Sequence, residues 1–194
     1  RGQQILSLLP SWTTGHAAFA YRFVLTQDTR GSAPEVAEQA ERRLQVALAW
    51  LEQARAAAGA RELDLLHSAA FLAPIACRQF PGLEERLPAG GAAAITDACF
   101  AEAERLFPTA AVREQRMFHF PTLAAALLAE GQRAAAASLL REAVERAPET
   151  RDQDLAREWQ ERVAEVARRL AGEPVPMDAV FADPRFEPLW PHLR

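Results

Sequence analysis

Apolar residues recur along this chain at three- and four-residue intervals, with polar residues between them on the opposite side, which is the helix period. After a short apolar turn at Ile5, Leu6, Leu8 and Leu9, stopped by Pro10, a helix is expected to about Gln27, capped by Ser11 or Thr13, with Trp12, Phe19, Phe23 and Val24 on its heavy face. Ser32-Ala33-Pro34-Glu35 reads as a capping box. It predicts a long helix to Ala58 with Val36, Ala40, Leu44, Ala47, Leu48, Leu51 and Ala54 inward, ended by Gly59. From Arg61 to Phe80 the stripe is Leu63, Leu65, Leu66, Phe71, Leu72 and Ile75, and Pro74 predicts a kink or an end at Ala73.

Residues 92–107 return to helix with Ile95, Cys99, Phe100, Ala103 and Leu106, and a short helix is expected over 110–118. Two helical patterns then meet at Glu130-Gly131-Gln132, the second closed by Pro148. Thr150 with Gln153 signals a further helix to Leu170, with Leu155, Trp159, Val163, Val166 and Leu170 on one face and dense charge on the other. Beyond Gly172 the prolines at 174, 176, 184, 188 and 191 forbid a long helix, yet Val180, Phe181, Phe186, Leu189 and Trp190 are too apolar for water. Short turns folded back over the last helix are predicted.

The pattern is therefore all-α, and composition agrees: apolar residues make up 49%, much of it alanine, and only 8% of the chain is aromatic, which suits closely packed helices. A chain of 194 residues fits one domain and needs no metal or disulfide staple. All 22 basic residues are arginine, as a GC-rich bacterial genome produces; the alternative, a surface built for bidentate anion contacts, needs clustering that the order of residues does not show. A net charge of −4 without a basic stripe disfavours nucleic acid. Cys77 and Cys99 have no metal-ligand spacing and read as buried free thiols. No apolar run reaches membrane-span length. A soluble protein is expected, the cytoplasm favoured and the periplasm left open because the chain opens on Arg1 rather than methionine.

Met117–Thr150 carries more than periodicity. Phe120, Leu123, Ala124 and Leu127, then Gly131, then Ala136, Leu140, Ala143 and Pro148 place large, small, turn and closing residues as a tetratricopeptide repeat does, and the segment of 34 residues resembles that family. The small residues let two helices approach closely and the glycine accepts the turn. Gly91, Phe100, Ala103 and Pro108 echo the same spacing, with the first-helix region spoiled by Pro81, Gly82 and Pro88. The resemblance implies an irregular right-handed α-solenoid of antiparallel hairpins in one domain, 1–194: degenerate hairpins at 11–59 and 61–108, the repeat-like hairpin at 117–150, a capping helix at 151–171 and a proline-rich cap at 172–194.

The resemblance further implies a non-catalytic scaffold or adaptor that holds a protein or peptide segment in a groove lined by Phe118, Pro121, Ala125, Leu128 and Ala129. The lysine, arginine and asparagine clamp used by chaperone-binding relatives is missing there, so an apolar occupant is expected; the same residues fit equally well against an adjacent helix. Two alternatives stay open: a helical accessory or periplasmic domain of a larger membrane-anchored or enzymatic protein, and a small helical enzyme with a pocket near His67, His119 and Arg116. None of His16, His67, His119 and His192 has metal-site spacing, no phosphate loop or nucleophile elbow occurs, and Gly90-Gly91 reads as a turn. No catalytic residue, cofactor or metal is assigned.

Overall fold

Helix follows helix in the computed structural model, which describes residues 11–146 and 153–194, and no strand occurs among the described residues. The expected turn at residues 5–10, the closing Pro148 and the Thr150 cap lie outside them. The chain divides into two compact units, Arg1–Ala103 and Glu104–Arg194.

In the first unit, α1 is Thr13–Leu25, α2 is Ala33–Ala58, α3 is Glu62–Gln79 and α4 is Gly91–Leu106, the last ending past the unit boundary. The Ser32 segment starts α2 as expected: the Glu35 carboxylate accepts the Ser32 backbone N–H at 2.9 Å and its hydroxyl at 2.8 Å. The carbonyls at the end of α1 are met from other helices, Phe23 O by the Arg43 guanidinium at 2.8 Å and Leu25 O by the Gln79 amide at 2.7 Å. Helix ends leave such acceptors orphaned, so these bonds tie α1 to α2 and α3. Leu44, Leu51, Leu65, Leu72 and Phe80 fill the core, and Ala40, Ala47, Ala69 and Ala76 between them allow the helices to pack closely.

Of the two outcomes expected at Pro74, an end at Ala73 does not occur: α3 continues to Gln79. A proline lacks the N–H that would bond the carbonyl four residues back, here Ala70 O. The buried Thr96 hydroxyl of α4 donates to that oxygen at 2.7 Å, the shorter of its two contacts. Thr96→Val is therefore expected to destabilise by about 1–3 kcal/mol through an orphaned buried carbonyl. In a double-mutant cycle on denaturant unfolding, Pro74→Ala should shrink that loss by restoring the amide. Equal losses in both backgrounds would sink the account.

The entry to α4 explains Gly90-Gly91. The Glu84 carboxylate accepts the Ala92 N–H at 2.9 Å, so the N-terminal dipole is met by a side chain of the protein itself. Gly91 has φ +55°, and a Cβ there would fall 1.8 Å from Glu84 Oε1.

In the second unit, α5 is Ala110–Ala129, α6 is Arg133–Arg146 and α7 is Gln153–Leu170, followed by α8 at Asp178–Phe181, a 3-10 turn at Pro184–Leu189 and α9 at Trp190–Leu193. The short helix expected over 110–118 is instead the first half of α5, which runs unbroken through Pro121. Met117, Phe120, Leu123 and Ala124, on both sides of the proline, are all buried along one face. The turn into α6 is as the pattern predicted. Gly131 takes φ +76°, Gln132 N–H bonds Leu127 O at 2.8 Å and Gly131 N–H bonds Leu128 O at 3.0 Å, a Schellman closure.

Trp159 of α7 sits at the middle of this core, edge-on to Phe118 and tilted against Phe186. The segment after Gly172 folds back as expected, and it covers α5 as well as α7. Asp183 starts its 3-10 turn by accepting the Arg185 backbone N–H at 3.0 Å and pairing with the Arg185 guanidinium at 2.5 Å. Burial of Asp183 works against its charge, but the Arg185 bonds and the nearby Arg162 charge hold its carboxyl below the usual range. A lowered native pKa means that ionisation stabilises the fold. That contribution is present above the ordinary carboxylate value, about pH 4, and is lost as pH falls from there through the native value. Denaturant midpoints measured across that window should fall less steeply in Asp183→Asn than in the parent.

Candidate functional site

Of the residues expected to line a groove on α5, Phe118 meets the chain's own C-terminal segment. Phe118 is half-buried, 6.1 Å from the Trp159 ring centroid and beneath the Arg185 guanidinium at 5.8 Å. Pro121 and Ala125 are buried, Leu128 packs against the same core, and Ala129 is exposed.

Of the residues named for the enzyme alternative, His67 falls in the first unit and His119 and Arg116 in the second. His67, in the first unit, packs edge-on to Phe100, and its Nε2 is buried without a hydrogen-bond partner. His16 is buried against Trp50, with neither ring nitrogen bonded. In the second unit His119 is half-buried, and Arg116 pairs with Glu104 at 3.2 Å and lies over the Phe120 ring. Glu104 also takes Arg146 and, at 3.9 Å, Arg113, a structural knot joining α5 and α6 to the end of α4. No cluster of three or more metal-ligating side chains occurs among the described residues. No helix among them is long and apolar enough to cross a membrane.

What the first unit does present is an open cleft of about 440 Å³, walled by α2, α3 and α4. Leu51, Leu66 and Ala69 form its floor, Leu48 and Ile95 its apolar end, and the exposed Ala49 and Ala98 its lips. The other end is ionic. Arg55, with a side chain only 12% exposed, bonds Glu52 at 2.5 Å, Glu62 at 2.6 Å and Glu102 at 3.1 Å. One guanidinium thus joins α2, the start of α3 and α4. Burial disfavours its charge, but the Glu62 and Glu102 bonds with the Glu52 charge more than offset this and raise its pKa above the ordinary value.

Cys99 lines the same cleft. Burial, opposed by Arg55 and assisted by Glu52, pushes its pKa up to about 11. At neutral pH it is a protonated thiol, and such a group behaves as apolar lining rather than as a nucleophile. Cys77 is raised too, by burial and by its hydrogen bond to Glu84. Both thiols are free.

A second cleft, of about 370 Å³, lies between α6 and α7 in the C-terminal unit, with Ala137, Ala164, Ala167 and Val144 inside and Arg141, Arg168, Glu145 and Glu173 around it. Four of its nine lining residues are alanine, which offers little to grip. The apolar stripes of Leu48, Leu51, Ile95 and Cys99 are visible in the sequence as helix faces. The signal for the ionic end is also there, Glu52 and Arg55 at i,i+3 and Glu102 one helical stripe on from Ile95 and Cys99, but it is spread over 51 positions of chain and carries no spacing of its own. Comparison with protein-family models, with curated proteins and with solved structures finds no match.

Proposed function

We propose that this chain is a non-catalytic protein-interaction module that holds an apolar segment of a partner in the α2–α3–α4 cleft of its N-terminal unit. The observation that carries this reading is the cleft itself, an open apolar channel with one ionic end. Its volume and lining fall in the range of binding sites rather than of packing defects. The protonated state of Cys99 supports binding over covalent chemistry, and so does the use of the cleft's one arginine to tie helices together.

We read the α5–α6 pair as a tetratricopeptide-like unit that serves as scaffold. Supporting this are the complete burial of Ala124, Ala136, Leu140 and Ala143, the near-complete burial of Phe120, and the left-handed Gly131 at the turn, all at the family's positions. Its apolar α5 face is occupied by the segment Pro184–Leu193, which moves the proposed binding surface from that face to the N-terminal unit.

Ala98 is exposed at the lip, so arginine there is tolerated by the fold and obstructs the channel. Selection from a displayed random-peptide library on the full chain is expected to yield peptides that bind the parent and lose at least tenfold in affinity on Ala98→Arg. If no selected peptide distinguishes the two proteins, the cleft is not the binding surface.

A further inference from the structure

The cleft has a direction, and its direction specifies the occupant. Arg55 of α2 meets Glu102 of α4 at 3.1 Å, so the ionic ends of these two walls coincide. Seven residues earlier on each helix, Leu48 and Ile95 line the same channel. Seven residues are about two helical turns, roughly 10 Å. The channel therefore passes from a purely apolar end to an ionic one over the length of two turns of a docked helix.

At the ionic end, three carboxylates share one guanidinium. Arg55 and Glu62 are largely withdrawn from water, whereas the Glu52 side chain is 69% exposed at the rim. Among the residues that line the cleft, Glu52 is thus the carboxylate most open to an occupant. Helices form every wall, and no strand edge exists among the described residues to receive an extended peptide by backbone pairing; an apolar channel between helices suits a docked helix.

Resting on the cleft as the binding surface, we infer that its occupant is an amphipathic helix of a separate protein, with apolar residues at i and i+3 or i+4 over Leu48 and Ile95 and a lysine or arginine one to two turns on, beside Glu52, which lies four residues after Leu48 and reaches toward Arg55. The apolar residues supply the affinity. The cation fixes the direction in which the helix lies, since reversing it would carry the cation away from Glu52 to the apolar end.

The test uses the full chain and a displayed random library of peptides of about 16 residues, roughly four helical turns, sorted by loss of binding to Ala98→Arg. Peptides that depend on the cleft are expected to carry an apolar i, i+3/i+4 pair followed by Lys or Arg one to two turns after the first apolar residue. Synthesised, the strongest should bind Glu52→Gln about fivefold more weakly, in keeping with an exposed ion pair, and should weaken with added salt. Glu52 and Ala98 both face solvent, and circular dichroism checks that each variant keeps its helices. Cleft-dependent peptides with no basic preference, or with acidic residues in that place, overturn this inference and leave the cleft as the binding surface. The absence of any cleft-dependent peptide overturns both. A dimer in sedimentation that Ala98→Arg dissolves gives the cleft to a second copy of the chain and overturns the separate partner.

Discussion

Trp159→Ala is expected to destabilise the protein by about 4 kcal/mol, the range for deleting a large aromatic from a packed core. Trp159 has no exposed surface, and its ring lies 6.1 Å from Phe118 and 6.2 Å from Phe186. It thereby joins α7 to α5 and to the returning C-terminal segment. Removing the indole opens a cavity bounded by three elements that cannot collapse together, because each is anchored elsewhere: Val163 and Val166 on α7, Phe120 and Ala124 on α5, Leu189 and Leu193 in the tail. The indole Nε1 is buried without a hydrogen-bond partner, so Trp159→Phe removes an unsatisfied donor along with part of the volume and should lose only about 1 kcal/mol. Denaturant midpoints followed by circular dichroism separate the two. A Trp159→Ala protein that unfolds with the parent places this helix outside the core.

Ala143→Arg is expected to be at least as damaging, by several kcal/mol, with loss of amide protection through α5, α6 and α7 in hydrogen exchange. Ala143 is fully buried on α6, in the same core as Phe120 and Trp159. An arginine there forces in a large volume and a charge with no carboxylate placed to receive it. Ala135→Arg, on the exposed face of the same helix, changes composition identically and should alter stability by no more than about 0.5 kcal/mol. Similar behaviour of the two variants would show that the buried face of α6 has been misassigned.

Much of the architecture is legible before any coordinates. The inward stripes of α2 and α7 are buried as their spacing predicts, from Ala40, Leu44, Ala47 and Leu51 to Trp159, Val163 and Val166. The Ser32 and Glu35 start and the Gly131 stop also form where the residues announce them. These features depend on residues at most five positions apart, and such short-range physics is written directly in the order of side chains. At Pro74 the sequence leaves two outcomes open for the opposite reason. Pro74 carries a local penalty, and the group that relieves it, Thr96, is 22 residues further on.

The candidate site divides in the same way. Phe118, Pro121, Ala125 and Leu128 are correctly seen as an apolar run on a helix, but periodicity states only that such a face needs covering and never by what. Phe186 and Leu189 come from the far end of the chain to join that core. By contrast, the faces bearing Leu48 and Ile95 read as ordinary core stripes, and between them a cleft stays open. By itself the sequence determined that the protein is built of helices, where most of them begin and end, and which side of each avoids water, because these follow from contacts within a few residues. Only the tertiary structure decided which apolar faces the chain covers for itself and which stay open, because that choice is made by contacts between residues tens of positions apart, such as the one guanidinium of Arg55 that gathers Glu52, Glu62 and Glu102 at the end of the cleft.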